Sequence, residues 1–168
     1  MKIVITGHKR GIGKAIFDYF NHSNNEIIGF SLSDGYDIST TKTRTDILNE
    51  LIDADIFVNN VYNRDNSQLI LLQQVFKLWN DLDKTIINIS SRYTNGDEQY
   101  CKNKKNQDEY CEKNVYRLPR IINLKPGMVD TDRVKDVKKI KMSTQDVICV
   151  LDMCLKSNIK IHSVSFGL

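Results

Sequence analysis

The amino-terminal stretch MKIVITGHKRGIGKAI (residues 1–16) runs a short apolar segment, residues 2–5, into a turn that carries Gly7, Gly11 and Gly13. From Gly11 onward Ile12, Ala15, Ile16, Tyr19 and Phe20 recur at helical spacing, so the glycines join a buried strand to an amphipathic helix. Gly7 would permit the sharp turn, Gly11 would let backbone approach a pyrophosphate, and Gly13 would let the helix pack on the strand. The spacing Gly-x3-Gly-x-Gly differs from the GxGxxG fingerprint, and tight strand-to-helix turns also use glycine for backbone reasons alone. On these residues a dinucleotide site and a ligand-free turn are both open.

Working outward, apolar runs at 2–6, 26–32, 55–59, 84–90, 119–124 and 159–165 read as strands. They alternate with helical patterns at 11–23, 41–53, 67–81, 101–116 and 143–157, with Ser143 or Thr144 as N-cap of the last. Such alternation predicts an α/β fold: a Rossmann-type, doubly wound parallel sheet of six to seven strands with helices on both faces. Right-handed crossovers would gather the strand C-termini on one edge, where a ligand crevice forms. At 168 residues the chain suits a single domain spanning 1–168, with no repeat or linker interrupting the pattern.

Composition narrows the function classes. No stretch approaches the roughly 18 apolar residues of a membrane span, and the run MKIVI is too short for a signal peptide, so a soluble, cytoplasmic protein without membrane association is expected. The four cysteines, Cys101, Cys111, Cys149 and Cys154, show neither a CxxC pair nor metal-ligand spacing with His8, His22 or His162, which argues for reduced thiols and no metal site. Net charge is +3, and acidic residues lie within or close to both lysine clusters, 102–105 and 135–141. No aromatic-interleaved basic surface or nucleic-acid motif accompanies them, so no nucleic-acid partner is expected.

The segment TGHKRGIG (Thr6 to Gly13) is similar to the TGxxxGIG turn of the short-chain dehydrogenase/reductase family, and further landmarks follow in order. Asp37-Ile38 looks like the Asp-apolar pair beside the adenine, and VNNVYN (58–63) resembles the NNAG segment. IINISS (86–91) resembles the end of the strand bearing the catalytic serine, and Tyr100-Cys-Lys-Asn-Lys104 fits YxxxK. IINLKPGMVDT (121–131) is similar to the strand followed by Pro-Gly and a threonine. Tyr100 is the only tyrosine here with lysine four residues later.

The resemblance implies a nicotinamide-dependent oxidoreductase acting on a small carbonyl or alcohol. Hydride transfer to a carbonyl needs a proton delivered to the oxygen, which tyrosine can supply. Its free pKa of about 10 is high for work near neutrality, and a cation at i+4, Lys104, would favour the phenolate. The resemblance gives Lys104 a second role, holding the nicotinamide ribose. Ser91 would fix the substrate oxygen, while the bland alternative has Ser90 and Ser91 simply turning the chain. Asn66 is the best positional match for the family's catalytic asparagine, with Asn63 the weaker one. The implied cofactor contacts are Thr6, Gly7, Lys9, Arg10, Gly11, Ile12, Gly13, Ser31, Asp37, Ile38, Asn59, Asn60, Val61, Tyr100, Lys104, Pro126, Gly127, Val129 and Thr131.

The chain also departs from the family pattern. It is shorter than usual members, with only 30 residues from Asn60 to Ser90 and nine from Ser91 to Tyr100. The third strand is compressed into GYDIS (35–39), and only some ten lysine-rich residues after Thr131 stand where a substrate lid is often found. The substrate pocket is therefore expected to be open, or completed by a second copy paired through helices 67–81 and 101–116. Arg10, with Lys9, Ser31 and Ser33, suits a 2′-phosphate, whereas Asp34 suits a 2′-hydroxyl; NADP(H) is slightly favoured over NAD(H). The alternative function is a catalytically idle dinucleotide-binding protein that senses redox state or supports a partner.

Overall fold

The computed structural model describes residues 1–93 and 97–168. Among these residues six strands form one all-parallel sheet in the order β2-β1-β3-β4-β5-β6. These are β1 (Lys2–Thr6), β2 (Glu26–Phe30), β3 (Ile56–Asn59), β4 (Thr85–Ile89), β5 (Arg120–Pro126) and β6 (Ser163–Phe166). Five helices connect them: α1 (Gly11–Asn21), α2 (Thr41–Glu50), α3 (Ser67–Leu78), α4 (Glu98–Lys113) and α5 (Thr144–Lys156).

Side-chain alternation along the strands separates the core into two layers. Ile3, Ile5, Ile56, Val58, Ile87, Ile89, Ile122 and Leu124 pack with Ile16 and Phe20 of α1 and with Ile148, Leu151 and Cys154 of α5. Their neighbours in sequence, Val4, Phe57, Ile86 and Ile121, point to the other face. There they meet Ile47 of α2, Leu69, Leu72, Val75 and Phe76 of α3, and Cys111 of α4. A strand buried on both faces reads as continuous apolar sequence, which is why these runs stand out. Ser143 caps α5 in a capping box: its hydroxyl accepts from Asp146 N at 3.1 Å while the Asp146 carboxylate accepts from Ser143 N at 2.7 Å.

Toward the C-terminal ends of β3, β4 and β5 the second face turns polar. Asn59, Asn88 and Asn123 lie in register on adjacent strands. Asn59 Nδ2 donates to Asn88 Oδ1 at 2.9 Å, Asn88 Nδ2 to Asn123 Oδ1 at 2.8 Å, and Asn123 Nδ2 to Asp108 Oδ1 on α4 at 2.8 Å. Helix α4 covers this ladder, so its buried stripe is Asn103, Lys104, Gln107 and Cys111 rather than an apolar one.

Two expectations need correction. GYDIS (35–39) forms no strand; only ten residues link β2 to α2, and they are spent on a 3-10 turn at Leu32–Asp34 ending on left-handed Gly35 (φ 87°) and on turns leading to the Thr40 cap. The sheet therefore ends at β2, with six strands. Helix α4 also begins at Glu98, three residues early, because the Asp97 carboxylate accepts from Tyr100 N at 3.0 Å and caps it, so Tyr100 and Lys104 share one helix face a turn apart.

Asn88 is the middle rung of the ladder. Asn88→Ala removes the donor to Asn123 Oδ1, and the stranded buried acceptor should cost about 1–3 kcal/mol. Urea denaturation would show it as a lower midpoint with unchanged slope.

Candidate active site

The glycine turn lies at the C-terminal end of β1, where Gly7 (φ 72°) and Gly11 (φ 55°) take left-handed backbone that only glycine adopts freely. Gly13 allows α1 to seat against the turn, since a Cβ there would collide with the Gly7 carbonyl oxygen. Thr6 locks this end of the strand: its hydroxyl donates to Val58 O at 3.2 Å and accepts from Asn60 N and Val61 N. The Asn60 amide adds bonds to Thr6 O and Gly7 O. Arg10 occupies the N-cap of α1 with no side-chain cap bond, and the first turn carries no acid, so the leading amides of α1 face outward with their partial positive charge.

A cavity of about 830 Å³ opens from these amides. Arg10, Gly11, Ile12, Asn60 and Val61 line one end. Ser90, Ser91, Tyr100 and Lys104 line the other, while Pro126, Gly127, Val129 and Thr131 form the wall between. The structure thus gathers twelve of the residues singled out by sequence around one space: Arg10, Gly11, Ile12, Asn60, Val61, Ser91, Tyr100, Lys104, Pro126, Gly127, Val129 and Thr131.

Others lie outside it. Asn59 is fully buried in the asparagine ladder, because alternation along β3 turns it to the face opposite Val58, so its side chain supports the site from below instead of touching a ligand. Ile38 is 3% exposed and packs in the core; it is not free to lie beside an adenine. Asp37 closes an Asx turn onto Ser39 N at 2.9 Å, and that N–H holds its carboxyl below the ordinary value. Ser31 Oγ pairs with Ser33 Oγ at 3.0 Å at the end of β2. Lys9 and His8 both face Asp34, at 3.4 and 3.7 Å. Asn66 begins α3 with φ 68° and does not line the cavity, and Asn63 accepts from Arg64 N.

The two serines differ. Ser91 Oγ accepts from Tyr93 N at 3.0 Å and so ties a turn, whereas Ser90 Oγ is buried and has no hydrogen-bond partner among the described residues. Ser90 was the less favoured of the pair in the sequence, yet it carries the unsatisfied hydroxyl.

Lys104 is 4% exposed, with Nζ donating to Gln68 Oε1 and to Ile89 O, both at 2.8 Å. Burial pushes its pKa down to about 7, helped by the positive charge of Arg133 and opposed by Asp108. Gln68 completes the arrangement by donating to Asn59 O and Ile89 O, and Gln107 donates to Gln68 Oε1 at 3.0 Å.

Two residues that sequence reasoning passed over dominate the Tyr100 end. The Tyr62 ring meets the Tyr100 ring edge-on with centroids 4.8 Å apart. The Arg133 guanidinium stands over both, 5.1 Å from the Tyr62 centroid and 5.3 Å from that of Tyr100. An exposed cation–π contact is worth roughly 0.5–1 kcal/mol, less than a hydrogen bond to a charged group, so an anion entering the cavity can compete for this arginine. Tyr62 was readable as a large ring in the segment that resembles NNAG, and Gln68 as a polar residue on the apolar face of SQLILLQQVF.

Lys104→Met leaves both acceptors partnered, Gln68 Oε1 by Gln107 and Ile89 O by Gln68. The folded lysine titrates near 7 and the unfolded one near its ordinary 10.5, so between these values the unfolded state binds more protons and stability rises with pH. The cost of burying the charge is fully present below about 7 and vanishes near 10.5. Lys104→Met should therefore be the more stable protein at pH 6, with the gap closing toward pH 10, as read by urea midpoints; a gap independent of pH would contradict the burial.

No protein-family model matches the chain, and no curated protein is similar to it in sequence. Solved structures do match. A short-chain dehydrogenase/reductase, glucose/ribitol dehydrogenase, from Brucella melitensis superposes with a TM-score of 0.77 at 13% identity, covering 99% of this chain and 94% of that one. The 3-alpha-hydroxysteroid dehydrogenase from Pseudomonas sp. B-0831, complexed with NADH, gives 0.74 at 15% identity over 99% and 94%. A short chain dehydrogenase from Burkholderia cenocepacia J2315, in complex with NADP, gives 0.73 at 14% identity over 99% and 88%. The chain has the short-chain dehydrogenase/reductase fold.

Proposed function

We propose that the chain is an NAD(P)(H)-dependent oxidoreductase of the short-chain dehydrogenase/reductase type, with Tyr100 as acid or base toward a small carbonyl or alcohol. The observation that supports this is the single cavity joining the open amides of α1 to the hydroxyls of Ser90, Ser91 and Tyr100. Two of the similar structures, named above, are complexes with NADP and NADH.

The glycine turn fits a dinucleotide on its own terms. A Cβ at Gly11 would lie 3.1 Å from Thr131 Cγ2, so the missing side chain lets the segment after β5 close against the start of α1, and the left-handed backbone there leaves the α1 amides bare for a pyrophosphate. Arg10, Gly11 and Ile12 would hold the phosphates, with Asn60, Val61, Pro126, Gly127, Val129 and Thr131 enclosing the rest. NADP(H) is favoured over NAD(H), because Asp34 is engaged by Lys9 and faced by His8, while Arg10 is exposed and has no carboxylate within ion-pair distance among the described residues.

When bound, the dinucleotide supplies the hydride. The chain's own groups do the rest: Tyr100 gives a proton to the substrate oxygen or takes one from it. Ser90, with its unpartnered hydroxyl, and Ser91 beside it would donate to that oxygen and orient it. Ile12, Tyr62 and Val129 supply aliphatic and aromatic wall that would limit water around the reacting atoms. A second copy could pair through α3 and α4; Ile70 and Leu78 are exposed apolar residues on α3.

The idle-binder reading has its own support. Lys104 spends two donors on Gln68 and Ile89 O instead of presenting them to the cavity, and Tyr62 and Arg133 crowd the Tyr100 ring. Turnover separates the two. Oxidation of NADPH or NADH with a panel of aldehydes, ketones and quinones should fall about 10²–10⁴-fold in Tyr100→Phe, with dinucleotide affinity retained. Dinucleotide binding without any Tyr100-dependent oxidation would make the chain a binder.

A further inference from the structure

Arg133 occupies the 3-10 turn two residues after Thr131, exposed at the Tyr100 end of the cavity. The two rings beside its guanidinium offer no lone-pair acceptor, and among the described residues its N–H donors make no hydrogen bond, so the fork is open. Among the described residues no carboxylate lies within ion-pair distance of it. Of the two cavity carboxylates, Asp97 is engaged by Arg64 at 2.7 Å and by the α4 cap, and Asp132 has no ion pair among the described residues. Lys139, also on the cavity wall, has no acidic partner among the described residues either. Deeper in the same space sits the buried, unpartnered hydroxyl of Ser90, 3% exposed. Arg10 lies at the opposite end, beside the glycine turn, so the two arginines do not serve the same ligand group.

We infer that Arg133 is a specificity-determining residue that recognises a carboxylate carried within a few bonds of the reacting carbon. The substrates are then short oxo acids or hydroxy acids. This rests on the oxidoreductase reading above and adds the charge of the substrate to it. A guanidinium presents parallel N–H groups that match a carboxylate's two oxygens, and a cation at the cavity mouth raises the local concentration of anions. With the carboxylate on Arg133, the carbon beyond it lies toward Tyr100, over whose ring the guanidinium stands, in the cavity that Ser90 also lines.

The test is calorimetric titration of malonate and succinate, with their neutral dimethyl esters and inorganic phosphate as comparisons, into the NADPH-saturated protein and into the free protein. Arg133 is exposed, so Arg133→Ala leaves the core intact. The diacids should bind and the esters give no heat. Arg133→Ala should weaken the diacids at least about tenfold, Arg133→Lys by less, and NADPH affinity should change by less than about twofold. Equal binding of acids and esters, phosphate binding as tight as the diacids, or diacid affinity unchanged in Arg133→Ala would each overturn the assignment. So would a parallel loss of NADPH affinity, which would place Arg133 on the dinucleotide. If no dinucleotide binds, the oxidoreductase reading fails separately, and the free-protein titration still decides whether Arg133 holds a carboxylate.

Discussion

The arrangement depends on one steric constraint, the seating of α1 against the glycine turn that follows β1. Gly13 has no side chain to keep the helix away from the Gly7 carbonyl, and the Asn60 amide pins that carbonyl from the next strand. β1 lies between β2 and β3, so fixing its end fixes the rim of the sheet where the strand C-termini gather. The helix amides are aimed along that rim because the turn permits no other approach. Every group in the cavity is placed relative to them.

Below the rim, register is held by polar groups in place of apolar packing. A one-residue slip would carry Asn59, Asn88 or Asn123 onto the face packed by α1 and α5, among isoleucines with no hydrogen-bond partners to offer. The ladder thus specifies how β3, β4 and β5 align, and through Gln68 it reaches the Lys104 ammonium. A buried lysine on neutral acceptors is costly at neutral pH, and that cost is concentrated where the chain needs a rigid floor beneath Tyr100.

Much of this was legible in the sequence. Strands buried on both faces show as unbroken apolar runs, and the glycine turn and the Ser143 cap are short-range signals whose chemistry is local. What escaped depended on contacts between distant segments. GYDIS looks like a strand until the ten-residue link from β2 to α2 is counted against what a crossover requires. Asn59 looked like a ligand contact because VNNVYN resembles the NNAG segment, but the two-residue period sends Asn59 and Asn60 to different environments. Arg133 and Tyr62 are far apart in sequence and meet only because β3 and β5 end on the same rim, so nothing in either segment alone announces the pair.

The central claim is that the amides of α1 receive the diphosphate of a pyridine dinucleotide. Calorimetry of NADPH and NADH with wild type and with a folded Gly13→Val variant addresses it directly. Saturable binding to wild type, lost when the valine side chain forces α1 off the Gly7 carbonyl, is the predicted result. No heat with either dinucleotide, or equal affinity in the variant, would contradict it.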